Sequence, residues 1–117
     1  MGRLSTHVLD TAKGKPAAGV KIMLYRISRQ SHRKVKEVVT NADGRTDGPL
    51  LEGEGLEAGT YELVFCAGDY LRSSGQAGEG TLFLDEIPIR FGVPDAGQHY
   101  HVPLLISPFG YSTYRGS

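Results

Sequence analysis

Apolar and polar residues alternate in several short runs along this chain, and no stretch carries a sustained helical period. On a strand, successive side chains point to opposite faces, so alternation sorts each run into an inner and an outer row. Residues 3 to 10 set Leu4, Thr6 and Val8 against Arg3, Ser5, His7 and Leu9. A second run sets Val20, Ile22 and Leu24 against Lys21, Met23 and Tyr25, and a third covers about 33 to 40 with Val35, Val38 and Val39. Residues 60 to 66, 86 to 93 and 98 to 107 read as further strands. Residues 110 to 115 close a final hairpin through Ser107-Pro108-Phe109-Gly110, and 68 to 74 allow at most one or two helical turns.

Turn chemistry falls between these runs. Lys13-Gly14-Lys15-Pro16 with Gly19 marks a loop, and Asn41-Ala42-Asp43-Gly44 is a strong turn signal in which the glycine supplies a positive φ. Pro88 cannot donate to a ladder, which predicts an exposed edge or irregular start for its strand. Short strands separated by glycine and proline predict an all-β sandwich or barrel. With 117 residues, a single domain over 1–117 is expected. The glycine-rich pieces at 53–55 and 75–80 do not sit between a strand and a helix, so they read as loops and not as phosphate cradles.

The faces carry more information than the strands. In 99 to 106, Tyr100, Val102, Leu104 and Ile106 form a core row, which leaves His99, His101, Pro103 and Leu105 on the other side. The first strand likewise turns His7 and Leu9 outward. Leucines and imidazoles together on an outward face predict a subunit interface, partly dry and partly functional.

Charge narrows the classes. Thirteen basic residues balance thirteen acidic ones, so no basic footprint for nucleic acid is present. The local basic segment from Arg26 to Lys36 reads as a solvated hairpin rim. No apolar run is long enough to span a membrane, and the start of the chain enters a strand pattern with no apolar leader, which predicts a cytoplasmic protein. Cys66 stands alone, excluding an internal disulfide, and its apolar run predicts burial as a small hydrophobe.

Four histidines are the candidate chemistry. His32 lies in the basic hairpin and is expected at the surface. His99 and His101 with His7 could chelate zinc, but no cysteine or carboxylate pattern completes such a site. General acid–base catalysis is the better use of imidazoles near neutral pH. An arginine beside them would hold a planar, carbonyl-rich or anionic substrate, and Arg45 and Arg115 are the candidates.

Five segments add a resemblance. They are Leu4-Ser5-Thr6-His7-Val8-Leu9-Asp10, Gly14-Lys15-Pro16-Ala17-Ala18-Gly19-Val20, Gly44-Arg45-Thr46-Asp47-Gly48, His99-Tyr100-His101-Val102-Pro103-Leu104-Leu105 and Tyr111-Ser112-Thr113-Tyr114-Arg115-Gly116-Ser117. Together they resemble the transthyretin-like family, and more closely its enzymatic branch, the 5-hydroxyisourate hydrolases. The resemblance implies a two-sheet β-sandwich of eight strands with one short helix, assembled as a homotetramer with active sites at the dimer–dimer interface. It implies hydrolysis of 5-hydroxyisourate to 2-oxo-4-hydroxy-4-carboxy-5-ureidoimidazoline without metal or organic cofactor. His7 or His101 would move the proton, Arg45 would bind substrate and stabilise developing charge, Tyr114 would position the heterocycle, and Ser117 would join the proton network. Which histidine is the base stays open. His99 lies a full strand step of roughly 7 Å from His101 and is left out. The alternatives are a non-catalytic prealbumin-like binding module and a hormone carrier, for which imidazoles and Arg45 make the channel too polar.

Overall fold

The alternating runs resolve into two stacked sheets. A computed structural model describes residues 1–116; Ser117 lies outside the described residues. The strands are β1 (Arg3–Asp10), β2 (Lys15–Pro16), β3 (Lys21–Ser28), β4 (Ser31–Val39), β5 (Leu51–Glu52), β6 (Gly59–Cys66), β7 (Glu86–Val93), β8 (His99–Ser107) and β9 (Gly110–Thr113). One helix, α1 (Ala67–Ser73), follows β6 directly, and a 3₁₀ turn covers Gly53–Gly55. The first sheet has the order β2-β1-β8-β9, with β5 also pairing β1; the second has the order β4-β3-β6-β7. β1 and β8 run parallel, and this pairing builds the site.

The expected sandwich with one short helix is present, and β2 and β5 are two-residue pairings within segments that carry no alternation. The third strand begins at Ser31, earlier than its valines suggest, because the basic segment continues the β3–β4 hairpin to Ser28 and Ser31. The last strand stops at Thr113, two residues short of the expected end. β7, which contains Pro88, is an edge strand as predicted.

The core lies between the sheets, where Leu4, Val8, Leu104 and Ile106 of one meet Ile22, Leu24, Leu63 and Phe65 of the other. Burying a side chain of this size stabilises the fold by roughly 1.5–3 kcal/mol. The buried Thr6 and Asp10 side chains have partners, while Gln76 Oε1 is buried without one among the described residues. Thr6 Oγ1 donates to the Val102 carbonyl at 2.7 Å. Asp10 accepts from Tyr70 Oη at 2.6 Å, Gln76 Nε2 at 2.8 Å and the Lys13 amide at 2.9 Å. Burial alone would raise the Asp10 carboxyl, but these donors outweigh it and hold the pKa below the usual value. No helix among the described residues is long and apolar enough to cross a membrane.

Candidate active site

Parity turns Ser5, His7 and His101 outward from the first sheet, and register brings them together. In the parallel pairing Ser5 stands opposite His101 and His7 opposite Pro103. The His7 and His101 ring centroids are 6.3 Å apart. The Ser5 hydroxyl lies 2.8 Å from His101 Nδ1.

A loop and the terminal segment complete the site from two sides. In the turn after β4, Asn41 Oδ1 accepts from the Asp43 and Arg45 amides at 2.9 and 3.2 Å, and the Asn41 amide donates to the Arg45 carbonyl at 2.7 Å. Gly44 has φ +74°, the left-handed region the sequence assigns to it, and a Cβ there would stand 2.4 Å from the Val8 carbonyl. That close approach lets the Val8 amide donate to the Gly44 carbonyl at 2.8 Å and sets Arg45 beside His7. On the other side the Gly116 amide donates to the His101 carbonyl at 2.7 Å. A Cβ on Gly116 would lie 2.7 Å from His101 Cδ2, so glycine permits the terminal segment to lie against the ring.

The result is an open cavity of about 520 Å³, within the usual span of small-molecule sites. His7, His101, Arg45 and Tyr114 all line it. Ser117 falls outside the described residues. Arg115 does not line the cavity: it donates to Gln98 Oε1 at 3.0 Å and the His99 carbonyl at 3.1 Å and lies 4.4 Å over the Tyr100 ring. It clamps the terminal segment. Sequence reasoning left out His99, Arg3 and Ser5, which also line the cavity. Their outward parity was visible, but the register that groups them was not.

No aspartate or glutamate is among the described lining residues. Burial first, then the Arg45 guanidinium, holds His7 below the ordinary imidazole pKa, against its hydrogen bond to the Asp43 carbonyl. Burial, Arg45 and His7 together lower His101. Both rings are therefore mainly neutral at pH 7, the state in which an imidazole can accept a proton. Among the described residues no three His, Cys, Asp or Glu side chains converge as a metal site would require. Cys66 is buried, with its thiol pushed up by burial, and takes no part.

The chain is similar in sequence and fold to known proteins of one family. The family model described as HIUase/Transthyretin matches residues 4–116. A 5-hydroxyisourate hydrolase 2 of Rhizobium meliloti strain 1021 is 61% identical over 116 residues, covering 99% of this chain and 97% of that protein. The structure of Klebsiella pneumoniae 5-hydroxyisourate hydrolase superposes with a TM-score of 0.81 at 37% identity, covering 100% of both chains. The crystal structure of (S)-allantoin synthase superposes with a TM-score of 0.93 at 49% identity. There the match covers 99% of this chain but 44% of the other, so this chain spans less than half of that protein.

Proposed function

Since this chain belongs to the HIUase/Transthyretin family, we propose that it hydrolyses 5-hydroxyisourate to 2-oxo-4-hydroxy-4-carboxy-5-ureidoimidazoline. Relatives of nearly the same length bear the hydrolase name, and the chain is an enzyme of that kind. The observation that carries the reading is a pair of imidazoles 6.3 Å apart, beside Arg45, in a cavity without a described carboxylate.

In the reaction one imidazole takes a proton from water as the water oxygen bonds to a ring carbonyl carbon. The carbon–nitrogen bond of the ring then breaks, and the proton passes to the leaving nitrogen. One water is consumed, and the new carboxyl group ionises. Positioned proton transfer contributes roughly 10²- to 10⁴-fold. Arg45 donates to the carbonyl oxygen as negative charge grows there, worth about 3 kcal/mol by comparison with a single oxyanion donor. Tyr114 holds the flat heterocycle from the terminal segment. Ser117 is assigned to the proton network on the family resemblance alone. The residues named need neither metal nor organic cofactor.

Assembly into a homotetramer, with this cavity at the dimer–dimer interface, belongs to the same reading. Leu9 and Leu105 are half-buried on the cavity face, Tyr114 is 59% exposed, and Phe83 and Phe109 are 74% and 78% exposed with their rings 6.0 Å apart. A second protomer would cover such surfaces. The lone Cys66 suits a reducing compartment such as the cytoplasm. A carrier or binding module finds no support in a cavity lined by two arginines and three histidines.

The test couples urate oxidase, which forms 5-hydroxyisourate in place, to ultraviolet detection of its decay. Addition of this protein should accelerate that decay. Decay that a folded protein leaves unchanged would overturn the hydrolase reading.

A further inference from the structure

The two cavity histidines are held by different kinds of partner. A carbonyl oxygen only accepts, so the 3.1 Å contact with the Asp43 carbonyl requires the proton on His7 Nε2. Neutral His7 is thus confined to one tautomer, with its lone pair on Nδ1. A hydroxyl both donates and accepts, so the Ser5 contact at His101 Nδ1 is compatible with either tautomer. If Nδ1 carries the proton, it donates to Ser5 and Nε2 is a base. If Nε2 carries the proton, Ser5 donates to Nδ1 and Nε2 is a hydrogen-bond donor but no base. The imidazolium, protonated at both nitrogens, again donates from Nδ1 to Ser5.

The rest of the ring is fixed from its other side. Gly116 packs against His101 Cδ2 and bonds the His101 carbonyl. Ser5 is the directly opposed residue in the β1–β8 register, and its hydroxyl has no other hydrogen bond among the described residues. His101 is therefore gripped at Nδ1 and Cδ2, which leaves Nε2 as the nitrogen for a reacting group.

We infer that Ser5 is the positioning residue of His101, a hydroxyl rotor that keeps the ring in place in each protonation state of a proton-transfer cycle. In its catalytic consequence this role rests on the hydrolase reading above. A general acid–base group must both take and return a proton, and its partner must not penalise either state. As Nε2 takes and returns the proton, Nδ1 keeps its own and Ser5 accepts from it in both states; should the neutral ring shift to the Nε2–H tautomer, Ser5 can donate instead, which the Asp43 carbonyl cannot do for His7. Two neighbouring cavity histidines thus have unequal freedom, and the freer one is paired to Ser5.

Ser5→Ala and Ser5→Thr test this assignment. Alanine removes the hydroxyl, while threonine keeps it on a side chain that strands favour. In Ser5→Ala, kcat should fall roughly 10- to 100-fold, the loss common when a partner that orients a reacting group is removed, with KM little changed. Ser5→Thr should recover most of kcat. The pH–rate profile should shift in Ser5→Ala. It reports His101 among Arg45 of the turn, His7 of β1, Tyr114 of the terminal segment, and Arg3 and His99 of the same cavity. Nitrogen-15 spectra of the histidines, taken without substrate, should show the His101 tautomer balance change in Ser5→Ala and return in Ser5→Thr.

Unchanged kcat and an unchanged His101 spectrum in Ser5→Ala would overturn the role. Equal loss in both variants, with a lowered melting temperature and an unaltered His101 spectrum, would also overturn it, reducing Ser5 to strand packing. If the wild-type protein left 5-hydroxyisourate untouched while Ser5→Ala still changed the His101 spectrum, the substrate reading would fall and the positioning contact would stand.

Discussion

The outer faces of the two sheets each carry histidine and tyrosine in cavities of nearly equal size, yet only one face has the makings of an active site. On the second sheet, Met23, Tyr25, His32, Glu62 and Val64 line a depression of about 510 Å³, against about 520 Å³ on the first. There His32 lies 4.3 Å from the Tyr25 ring and 3.4 Å from Glu62 Oε1, and Arg90 Nε donates to Glu62 Oε2 at 3.0 Å. The imidazole of that face and the Arg90 guanidinium both meet the buried Glu62 carboxylate. On the first sheet His7, His101, Arg45 and Arg3 line the cavity with no described carboxylate among them. Volume and the presence of histidine do not separate the two faces. What separates them is whether the charge is satisfied within the fold or left for a ligand.

Histidine replacement should break the symmetry most sharply. His101→Asn is expected to lower kcat at least about 100-fold, within the range for loss of positioned proton transfer, with the circular dichroism spectrum retained. His32→Asn should leave the rate within about twofold, the scale of ordinary surface changes. The coupled decay assay measures both. Comparable losses would mean that charge closure on the second sheet is no guide to function.

A matched pair of glycines gives the next test. Gly116→Ala places a Cβ 2.7 Å from His101 Cδ2, so either the ring or the terminal segment must move. A displacement of about 1 Å can cost as much as 100-fold, and a loss of about tenfold or more is expected. Gly92→Ala on β7 of the second sheet meets nothing within 4 Å and should leave the rate unaltered. Rates measured alongside melting curves distinguish a moved ring from an unfolded protein. A Gly116→Ala enzyme at full speed would show that the terminal segment does not set the His101 geometry.

These contrasts also mark what the chain reveals before it is folded. The outward placement of His7 and His101 was legible because parity needs only a period of two. The 41–44 turn was legible because glycine is the cheap residue at positive φ, and Gly44 adopts it. Register was not legible. Nothing local to β1 announces that it lies parallel to β8 with Ser5 against His101, since that pairing joins residues 96 positions apart. Arg45 and Arg115 looked equivalent as candidates, and only tertiary contacts send one to the cavity and the other onto the Tyr100 ring. The partners of Glu62 come from tertiary contacts in the same way: Arg90 and His32 meet its carboxylate, and it remains 8% exposed.

The smallest expected effect examines the electrostatic half of the comparison directly. Arg45 pushes His7 and His101 downward, second in each case to burial. Arg45→Met should therefore raise the midpoints of both rings in histidine NMR titrations, by less than the removal of a buried charge would because the arginine is exposed and partly screened. The sign for stability follows. A histidine whose folded pKa is lowered binds fewer protons folded than unfolded, so it costs the fold nothing above about pH 6.5. As pH falls from there through the lowered folded values, the unfolded chain gains protons first and stability declines. Arg45→Met narrows that window, and its melting temperature should fall less on acidification than that of the wild type. Added salt should move the wild-type midpoints the same way, since it screens the guanidinium. Midpoints indifferent to both changes would leave burial as the sole cause of neutral imidazoles. The first sheet would then differ from the second in exposure to ligand but not in the field it presents.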